Sequence, residues 1–329
     1  MRARLGAAAL CAVLLCGCSM QEVSDRIPVS AAALDSRGDG LLLTAQTITI
    51  SGDDTAPETE NQSIEAKSVE QGMDRCGQAL FWTTAETAIL DEGLAKNSRT
   101  EQIQALTEEP SIRPSVRLCV ARDTEGRDIL ETEDRADGLA TLLDNAVQEG
   151  RAVDMPLYQA LDDQQTDGVD LALPALTVEQ DRVRTAGTAV FHGETLCGYL
   201  EEDETAVLAL LRGDTHRMVL YDTDGSRFVL TGVHTVFSVS DEGAALSLRG
   251  KLLDSSEEQT QRAARLCQTT CRDLMQTLQE WNSDALGLGR ELLRTHPESF
   301  STADWEARYP TIPVSITVSL TRTQGGSRE

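Results

Sequence analysis

Residues 281–326, WNSDALGLGRELLRTHPESFSTADWEARYPTIPVSITVSLTRTQGG, decide the fold of the C-terminal half. They continue a long helical pattern over residues 256–282 with short helical pieces and then one closing strand. Small and apolar side chains recur in the long pattern at the spacing of one helix face: Cys267, Cys271, Leu274, Leu278 and Trp281. Residues 218–253 alternate as three strands with turns at 224–225 and 242–243. This order predicts an α+β domain in which an antiparallel sheet packs on the long helix and a last strand closes it.

The N-terminal half has strand and helix patterns interleaved, which predicts a mixed α/β region. Two strands are expected at about 27–34 and 41–50, joined by a turn that contains Asp35, Gly38, Asp39 and Gly40. An exposed acidic loop at 53–63 and a helix at about 63–79 should follow. Residues 135–150 form an amphipathic pattern that ends at Gly150.

A polar, turn-rich stretch at 162–170 indicates a boundary between two regions. After it, residues 184–200 predict a hairpin with His192 and Gly193 at its tip. A helix with an acidic first turn follows, as the positive end of a helix dipole favours. We therefore expect an N-terminal α/β region at 18–178, which could hold two subdomains, and a C-terminal α+β domain at 186–326.

The charge balance excludes several classes of partner. The chain has 54 acidic and 29 basic residues in 329, a net charge of −25. Nucleic-acid backbones are bound by clustered Lys and Arg, so a nucleic-acid partner is not expected. Adhesion to anionic lipid headgroups through surface charge is disfavoured for the same reason.

The N-terminus has the pattern of a lipoprotein signal peptide. Arg2 and Arg4 precede a nearly continuous apolar run from Leu5 to Leu15, which is too short to span a bilayer as a helix. The run ends in Leu15-Cys16-Gly17-Cys18, which resembles the bacterial lipobox. We expect residues 1–17 to be removed and Cys18 to carry the lipid; an ordinary signal peptide with a chance cysteine is the alternative.

Five cysteines remain in the expected mature chain: Cys76, Cys119, Cys197, Cys267 and Cys271. Their number is odd and no spacing repeats, so no disulfide framework can be assigned. The pair on the long helix could suggest a metal or redox site. No His, Asp or Glu follows it at a ligand spacing, and we expect both thiols to be small core residues.

Motifs for catalysis and cofactor binding are weak. The four histidines, His192, His216, His234 and His296, lie in no metalloprotease or hydrolase motif. Gly287 and Gly289 follow a helix without the strand, third glycine or lysine of a phosphate loop, so they predict a tight corner. The turn at 222–226 lacks the later glutamate of a calcium loop. The sequence thus predicts a non-catalytic protein without cofactor or metal, with Trp281 and Trp305 in its core.

The C-terminal block resembles the Ger(x)C family, the lipoprotein C subunits of spore germinant receptors. The matching positions are Asp284, Leu286, Gly287, Gly289, Pro297, Phe300, Trp305, Val314, Val318 and Gly325. Upstream, the family's Gly-x-Ala-x-Phe and Gly-x-Leu patterns match Gly187, Ala189, Phe191, Gly198 and Leu200. Residues 32–46 fit its Asp, Gly and Thr-x-Gln near the start. Ser19 and Met20 stand where many members have a tryptophan, and this chain is more acidic than is usual, which bears on partner preference more than on fold.

This resemblance implies a function. It implies a lipid-anchored, non-catalytic subunit on the outer face of the cytoplasmic, or inner spore, membrane, needed for the response to nutrient germinants. The implied partners are two integral-membrane receptor subunits, an A-type subunit and a transporter-like B-type subunit. Two alternatives stay open: a solute-binding lipoprotein that serves a transporter, and a lipoprotein enzyme that acts on the cell wall.

Overall fold

The computed structural model describes residues 26–49, 58–77, 79–132, 138–253 and 255–323. Within these ranges the strands are β1 (Ile27–Arg37), β2 (Gly40–Thr49), β3 (Glu58–Ala66), β4 (Leu80–Phe81), β5 (Thr87–Asp91), β6 (Arg117–Ala121), β7 (Ala172–Glu179), β8 (Arg182–His192), β9 (Thr195–Leu200), β10 (Arg217–Tyr221), β11 (Arg227–Ser240), β12 (Gly243–Leu253) and β13 (Val314–Thr323). The helices are α1 (Val69–Cys76), α2 (Glu92–Asn97), α3 (Arg99–Glu108), α4 (Gly126–Thr132), α5 (Gly138–Gln148), α6 (Leu157–Gln165), α7 (Glu202–Arg212), α8 (Glu257–Glu280), α9 (Leu288–Thr295) and α10 (Thr302–Arg308).

The first nine strands form one mixed sheet in the order β3-β2-β1-β5-β6-β7-β8-β9, with β4 beside the start of β1. The central strands β1, β5, β6 and β7 are parallel, and antiparallel hairpins lie at both ends. Parallel strands need both faces covered. Helices α1, α2, α3 and α6 contribute to the apolar cluster on one face, and α4 and α5 contribute to the cluster on the other.

The second sheet has four strands in the order β10-β11-β12-β13. Strands β10 to β12 form the expected antiparallel meander, and the last pair, β12 with β13, is parallel. Residues of α7, α8 and the sheet share one core cluster, in which Cys267, Cys271, Leu274 and Leu278 are fully buried. The predicted fold class is therefore confirmed: a mixed α/β N-terminal region and a C-terminal sheet packed on a long helix.

The two regions meet inside a hairpin. Strands β7 and β8 are joined by a two-residue turn at Gln180 and Asp181, both with positive φ, and Glu179 pairs with Arg182. Strands β8 and β9 thus continue the N-terminal sheet. The segment between 178 and 186 is part of a hydrogen-bonded ladder, so the covalent connection at this point is not a flexible linker.

Two local predictions are wrong. Residues 58–66 form the edge strand β3 rather than part of a loop and the start of a helix, and only 69–76 are helical. Asp35 lies in β1, fully buried, and not in the turn, where Gly38 has φ of +52°. The Asp35 carboxylate accepts hydrogen bonds from the backbone N–H groups of Gly126 and Arg127 at 2.6 and 3.0 Å. It therefore satisfies free N–H groups at the start of α4.

Candidate functional site

The turn that follows the long helix α8 is built around one buried carboxylate. We call residues 282–289 the Asp284 turn. Asp284 accepts hydrogen bonds from the backbone N–H groups of Leu288 at 2.9 Å and Gly289 at 2.7 Å, and from the indole Nε1–H of Trp305 at 3.0 Å. The side chain thus satisfies N–H groups at the start of α9 and holds α10 against them.

A second carboxylate connects this turn to the N-terminal sheet. Asp170 Oδ2 accepts the backbone N–H of Asp284 at 2.8 Å, and its Oδ1 accepts that of Gly193 at 2.9 Å. The imidazole Nδ1 of His192 lies 3.5 Å from the same Oδ2. The hydroxyl of Ser283 donates to the carbonyl of Phe191 at 2.5 Å. The β8–β9 hairpin tip and the C-terminal turn are therefore joined through residues from both halves of the chain.

Glycine is required where these segments touch. A Cβ on Gly289 would lie 2.5 Å from Trp305 Nε1 and 2.7 Å from the Cα of Gly168. The carbonyl of Gly168 also accepts the backbone N–H of Arg290 at 2.7 Å. Gly287 has φ of +72°, a left-handed conformation that suits glycine. The Gly-x-Gly pair forms a tight corner as predicted. The N–H of Gly289 already donates to Asp284 and is not free to donate to a phosphate.

Burial sets the protonation of Asp284. Its carboxyl group is excluded from water, which disfavours the charged form and raises its pKa to about 7. The N–H donors of Gly289, Leu288 and Trp305 oppose this effect, and the nearby charge of Asp170 adds to it. A carboxyl group that titrates near neutral pH therefore lies at the junction of the two halves.

A cluster of ion pairs lies near the C-terminal end of α6. Asp163, whose side chain is fully buried, binds Arg212 Nη2 at 3.1 Å and Arg290 Nη1 at 2.7 Å. Arg212, 4% exposed, also donates to the carbonyl of Ala285 at 2.9 Å. These contacts fasten α6, α7 and α9 to one another, and the bond to Ala285 connects the cluster to the Asp284 turn.

A cleft of about 170 Å³ opens beside the Asp284 turn. Val169, Asp284, Trp305 and Tyr309 are the buried residues of its lining, and Asp167, Gly193 and Glu306 are the exposed ones. The segment 166–170, the hairpin tip at 192–193 and helix α10 complete its lining.

The predicted site residues are distributed over the fold. Cys18 lies outside the described residues, so its lipid attachment stays a prediction. Cys267 and Cys271 are free, fully buried and on one face of α8, which confirms the core assignment. A hydrogen bond to Cys267 and burial raise the pKa of the Cys271 thiol well above its usual range. Trp305 is buried as expected, whereas Trp281 is only partly buried and packs against Gly198.

The histidines and acidic turns do not come together as a reaction centre. His192 lies at the cleft, while the rings of His216, just before β10, and His234, in β11, are 5.6 Å apart. Asp222 and Asp224 of the 222–226 turn both bind the guanidinium of Arg262, whose single positive charge offsets part of theirs. Among the described residues there is no group of three or more His, Cys, Asp or Glu placed to hold a metal ion. No helix in the described part of the chain is both long and apolar enough to cross a membrane.

Sequence reasoning about chemistry missed Asp170, Asp163 and the cleft. Asp284 was marked only as one position of a family pattern, without a role. Asp284 lies three residues before the N-cap Gly287, outside the position at which a capping acid is expected, so the capping pattern does not indicate it. The partners of Asp170 and Asp163 lie between 23 and 127 residues away in sequence, and no local pattern indicates them.

The fold and the comparisons with known proteins define the family to which the chain belongs. The chain is a two-part α/β and α+β protein like the one in "Crystal Structure of the GerBC protein", with a TM-score of 0.55 at 16% identity over 89% of this chain and 96% of that chain. Residues 19–178 match the family model "Spore germination protein N-terminal domain", and residues 186–326 match "Spore germination B3/ GerAC like, C-terminal". The chain belongs to the Ger(x)C family, the family of germinant receptor C subunits. No protein in the curated set matches it.

Proposed function

We propose that this chain is the membrane-anchored lipoprotein C subunit of a spore germinant receptor, needed for the response to nutrient germinants and without catalytic turnover. The observation that carries the proposal is the pair of family matches over residues 19–178 and 186–326. The first match begins one residue after Cys18, where the expected mature chain starts.

The anchor follows from the lipobox and the charge. Two basic residues and no acidic ones leave with residues 1–17, so 27 basic and 54 acidic residues remain and the mature net charge is −27. Anionic headgroups repel such a chain, and acyl chains on Cys18 supply the membrane affinity instead, at about 0.8 kcal/mol per buried methylene. The folded part is then held on the outer face of the cytoplasmic, or inner spore, membrane.

The proposed partners are an A-type and a transporter-like B-type integral-membrane subunit. Tethering beside them raises the effective concentration of this domain without any large intrinsic affinity. This is sufficient for a subunit whose role is binding and not turnover, and the separation of its histidines, described above, is consistent with that role.

Gene deletion tests the receptor role. Spores that lack this gene should lose the response to one class of nutrient germinant, while vegetative growth is unchanged. Complementation with the wild-type gene should restore the response, and the protein should co-purify with both membrane subunits from detergent extracts of spores. If deletion spores respond normally to every nutrient while dividing cells show an altered wall or impaired solute uptake, the receptor role is wrong.

A further inference from the structure

The second sheet has one face that no other element covers in the part of the chain that the structure describes. Side chains on one side of β11, β12 and β13 pack into the core with α7 and α8, and those on the other side are exposed. The exposed positions follow the alternation of each strand. We call them the open face: His234, Val236, Ser238, Ala245, Arg249, Lys251, Ser315, Thr317, Ser319 and Thr321.

The strands of the second sheet contain no acidic residue. Asp and Glu are absent from β10 to β13, although they make up 54 of the 329 residues of the chain. Strand β3 of the first sheet, in contrast, exposes Glu58, Glu60 and Glu65. The acids nearest to the open face in sequence flank the strands: Asp222, Asp224, Asp241, Glu242 and Asp254. The open face is therefore a non-acidic surface on an acidic molecule.

Basic side chains lie together on the open face. Strand pairing places Arg249 of β12 beside His234 of β11, and Lys251 is two positions further along on the same side of β12. The ring of His216, just before β10, is 5.6 Å from that of His234. All four side chains belong to exposed residues, so an anion in solvent or on a surface can reach them.

The two permanent charges of this group are not compensated by the protein. Within the described ranges neither Arg249 nor Lys251 forms an ion pair, whereas Arg262, Arg308 and Arg322 near the margins of the sheet each bind a carboxylate. The neighbouring side chains on β13 are small serines and threonines, which leave room for a flat anionic surface to approach. A surface of phosphate groups is complementary to this face in charge.

The tether proposed above keeps the folded part close to such a surface. Cys18 precedes Arg26, the first described residue, by eight positions, and a fully extended chain of that length spans at most about 30 Å. Charges interact over about 10 Å or less at physiological salt. The charge of each face, and not the net charge of the molecule, therefore decides which side a tethered protein turns toward the headgroups.

We propose that the open face docks on the anionic phospholipid headgroups of the membrane and so sets the orientation of the tethered protein. Headgroup phosphates accept hydrogen bonds from Arg249 and Lys251, and Val236, which is 64% exposed on the same face, contacts the interface. The acidic strand β3 is not the side that faces the headgroups. This inference rests on the membrane anchor of the proposed function, because without a tether the net negative charge opposes the approach.

Fluorescence quenching on tethered protein tests the orientation. The expected mature chain, with Cys18→Ser and an N-terminal histidine tag, is attached through nickel-chelating lipid to vesicles of phosphatidylcholine with or without phosphatidylglycerol. A bimane label is placed at Val236→Cys in a Cys197→Ser background, since the other described cysteines are buried. Headgroup spin-labelled lipid should quench this label at least about twofold more when phosphatidylglycerol is present. The same label at Tyr158→Cys, on α6, should show no such difference.

Two charge variants of the labelled protein locate the contact. Arg249→Gln with Lys251→Gln should reduce the quenching in phosphatidylglycerol vesicles to its level in phosphatidylcholine alone. Arg265→Gln with Arg272→Gln is the matched control, because both residues are exposed on α8 and the net charge changes by the same amount. It should behave as the labelled parent does. Both double variants should keep the melting temperature of the parent, since all four side chains belong to exposed residues.

Three results would overturn the proposal. Equal quenching with and without phosphatidylglycerol would show that the open face does not recognise anionic headgroups. Equal loss in both double variants would assign the effect to net charge. A response of the label to a poly-glutamate peptide, but not to phosphatidylglycerol, would indicate that the face docks an acidic protein. Because the histidine tag replaces the lipid, a failed anchor prediction for Cys18 leaves this test intact, and the two failures can be told apart.

Discussion

At the scale of single residues, Asp284 is the centre of the junction between the two halves of the chain. Its carboxylate binds the start of α9 and the indole of Trp305, and its backbone N–H binds Asp170. The relevant N–H groups are buried, so removal of the carboxylate leaves them without their acceptor in the protein.

Replacement of Asp284 should be costly. Asp284→Ala leaves the N–H groups of Leu288, Gly289 and Trp305 without their acceptor, and we expect the free energy of unfolding to fall by about 3–5 kcal/mol. Urea denaturation measures this change. Glu306→Ala, at an exposed carboxylate on α10, is the control and should change stability by less than about 0.5 kcal/mol. Similar stabilities for the two variants would show that Asp284 does not support the turn.

The raised pKa of Asp284 predicts the sign of a pH effect. The pKa is about 7 in the folded protein and near 3.8 in the unfolded chain, so the folded state binds more protons between these values. The stability contribution of this group is therefore present below about pH 4 and is lost as pH rises through about 7. Unfolding measured from pH 5 to 8 should show the wild type losing stability as pH rises.

Asp284→Asn separates the titration of Asp284 from that of other carboxyl groups whose pKa is also raised. The pKa values of Asp35 and Asp214 are also raised, to about 6, mainly by burial, and both side chains stay in the variant. The variant should keep a shallower fall in stability than the wild type over the same pH range. Superimposable profiles of the two proteins would contradict the assignment of the titration to Asp284.

Local sequence preference misplaced one of these buried acids. Asp35 was assigned to a turn because Asp next to Gly is typical of turns. In the fold it lies inside β1, and its partners in α4 are 91 and 92 positions away. A partner at that distance leaves no trace in a local pattern, so the turn could be predicted and the buried acid could not.

At the scale of elements, the strongly patterned segments were predicted and those formed by tertiary pairing were not. The amphipathic face of α8 and the meander of β10 to β12 follow from periodicity and turn residues. The polar strand β3 has no such pattern and exists because it pairs with β2 from Glu58 to Ala66. Strand β7 was not assigned, and it contains Pro174, which argues against a strand. A register shift between Pro174 and Leu176 accommodates the proline.

The ion pairs among α6, α7 and α9 should matter more than their surface neighbours. Asp163→Asn removes the charge that faces buried Arg212, and we expect a loss of about 3–5 kcal/mol in the free energy of unfolding. Asp162→Asn is a matched control one residue away. The Asp162 side chain is 67% exposed, and its Oδ2 lies 3.6 Å from Arg290 Nη1, a longer contact than that of Asp163. It should cost less than about 1 kcal/mol. Equal losses for both variants would contradict a special role of the buried pair.

The thiols of α8 give a prediction about packing. Cys267→Ala with Cys271→Ala truncates two fully buried side chains, so stability should fall by about 1–3 kcal/mol in total. Metal content should be unchanged, since both thiols are assigned to the core. Stoichiometric zinc in the purified wild-type protein, lost in the double variant, would overturn that assignment.

At the scale of the whole molecule, the two family segments are joined by shared structure and not by a linker. Strands β8 and β9 continue the sheet of the first segment, and Asp170 and Asp284 connect that sheet to the end of α8. The sequence predicted a mixed α/β region followed by an α+β region, and the division at 178 and 186 stays a prediction. It could not indicate that β7 and β8 pair with each other across the division between the two segments, because which strands pair is decided by the folded structure.

The last prediction concerns the lipid anchor that we propose for this acidic chain. The lipobox pattern predicts a lipid on Cys18, and for the proposed mature chain, with a net charge of −27, we expect acyl chains to be the source of membrane affinity. Cys18→Ala should abolish incorporation of labelled fatty acid, leave the precursor uncleaved before residue 18 and reduce the germination response. Cys16→Ala, two residues earlier in the segment expected to be removed, is the matched control and should still be labelled. Label retained by Cys18→Ala and lost in Cys16→Ala would place the lipid on the other cysteine, and no label in the wild type would rule out a lipoprotein.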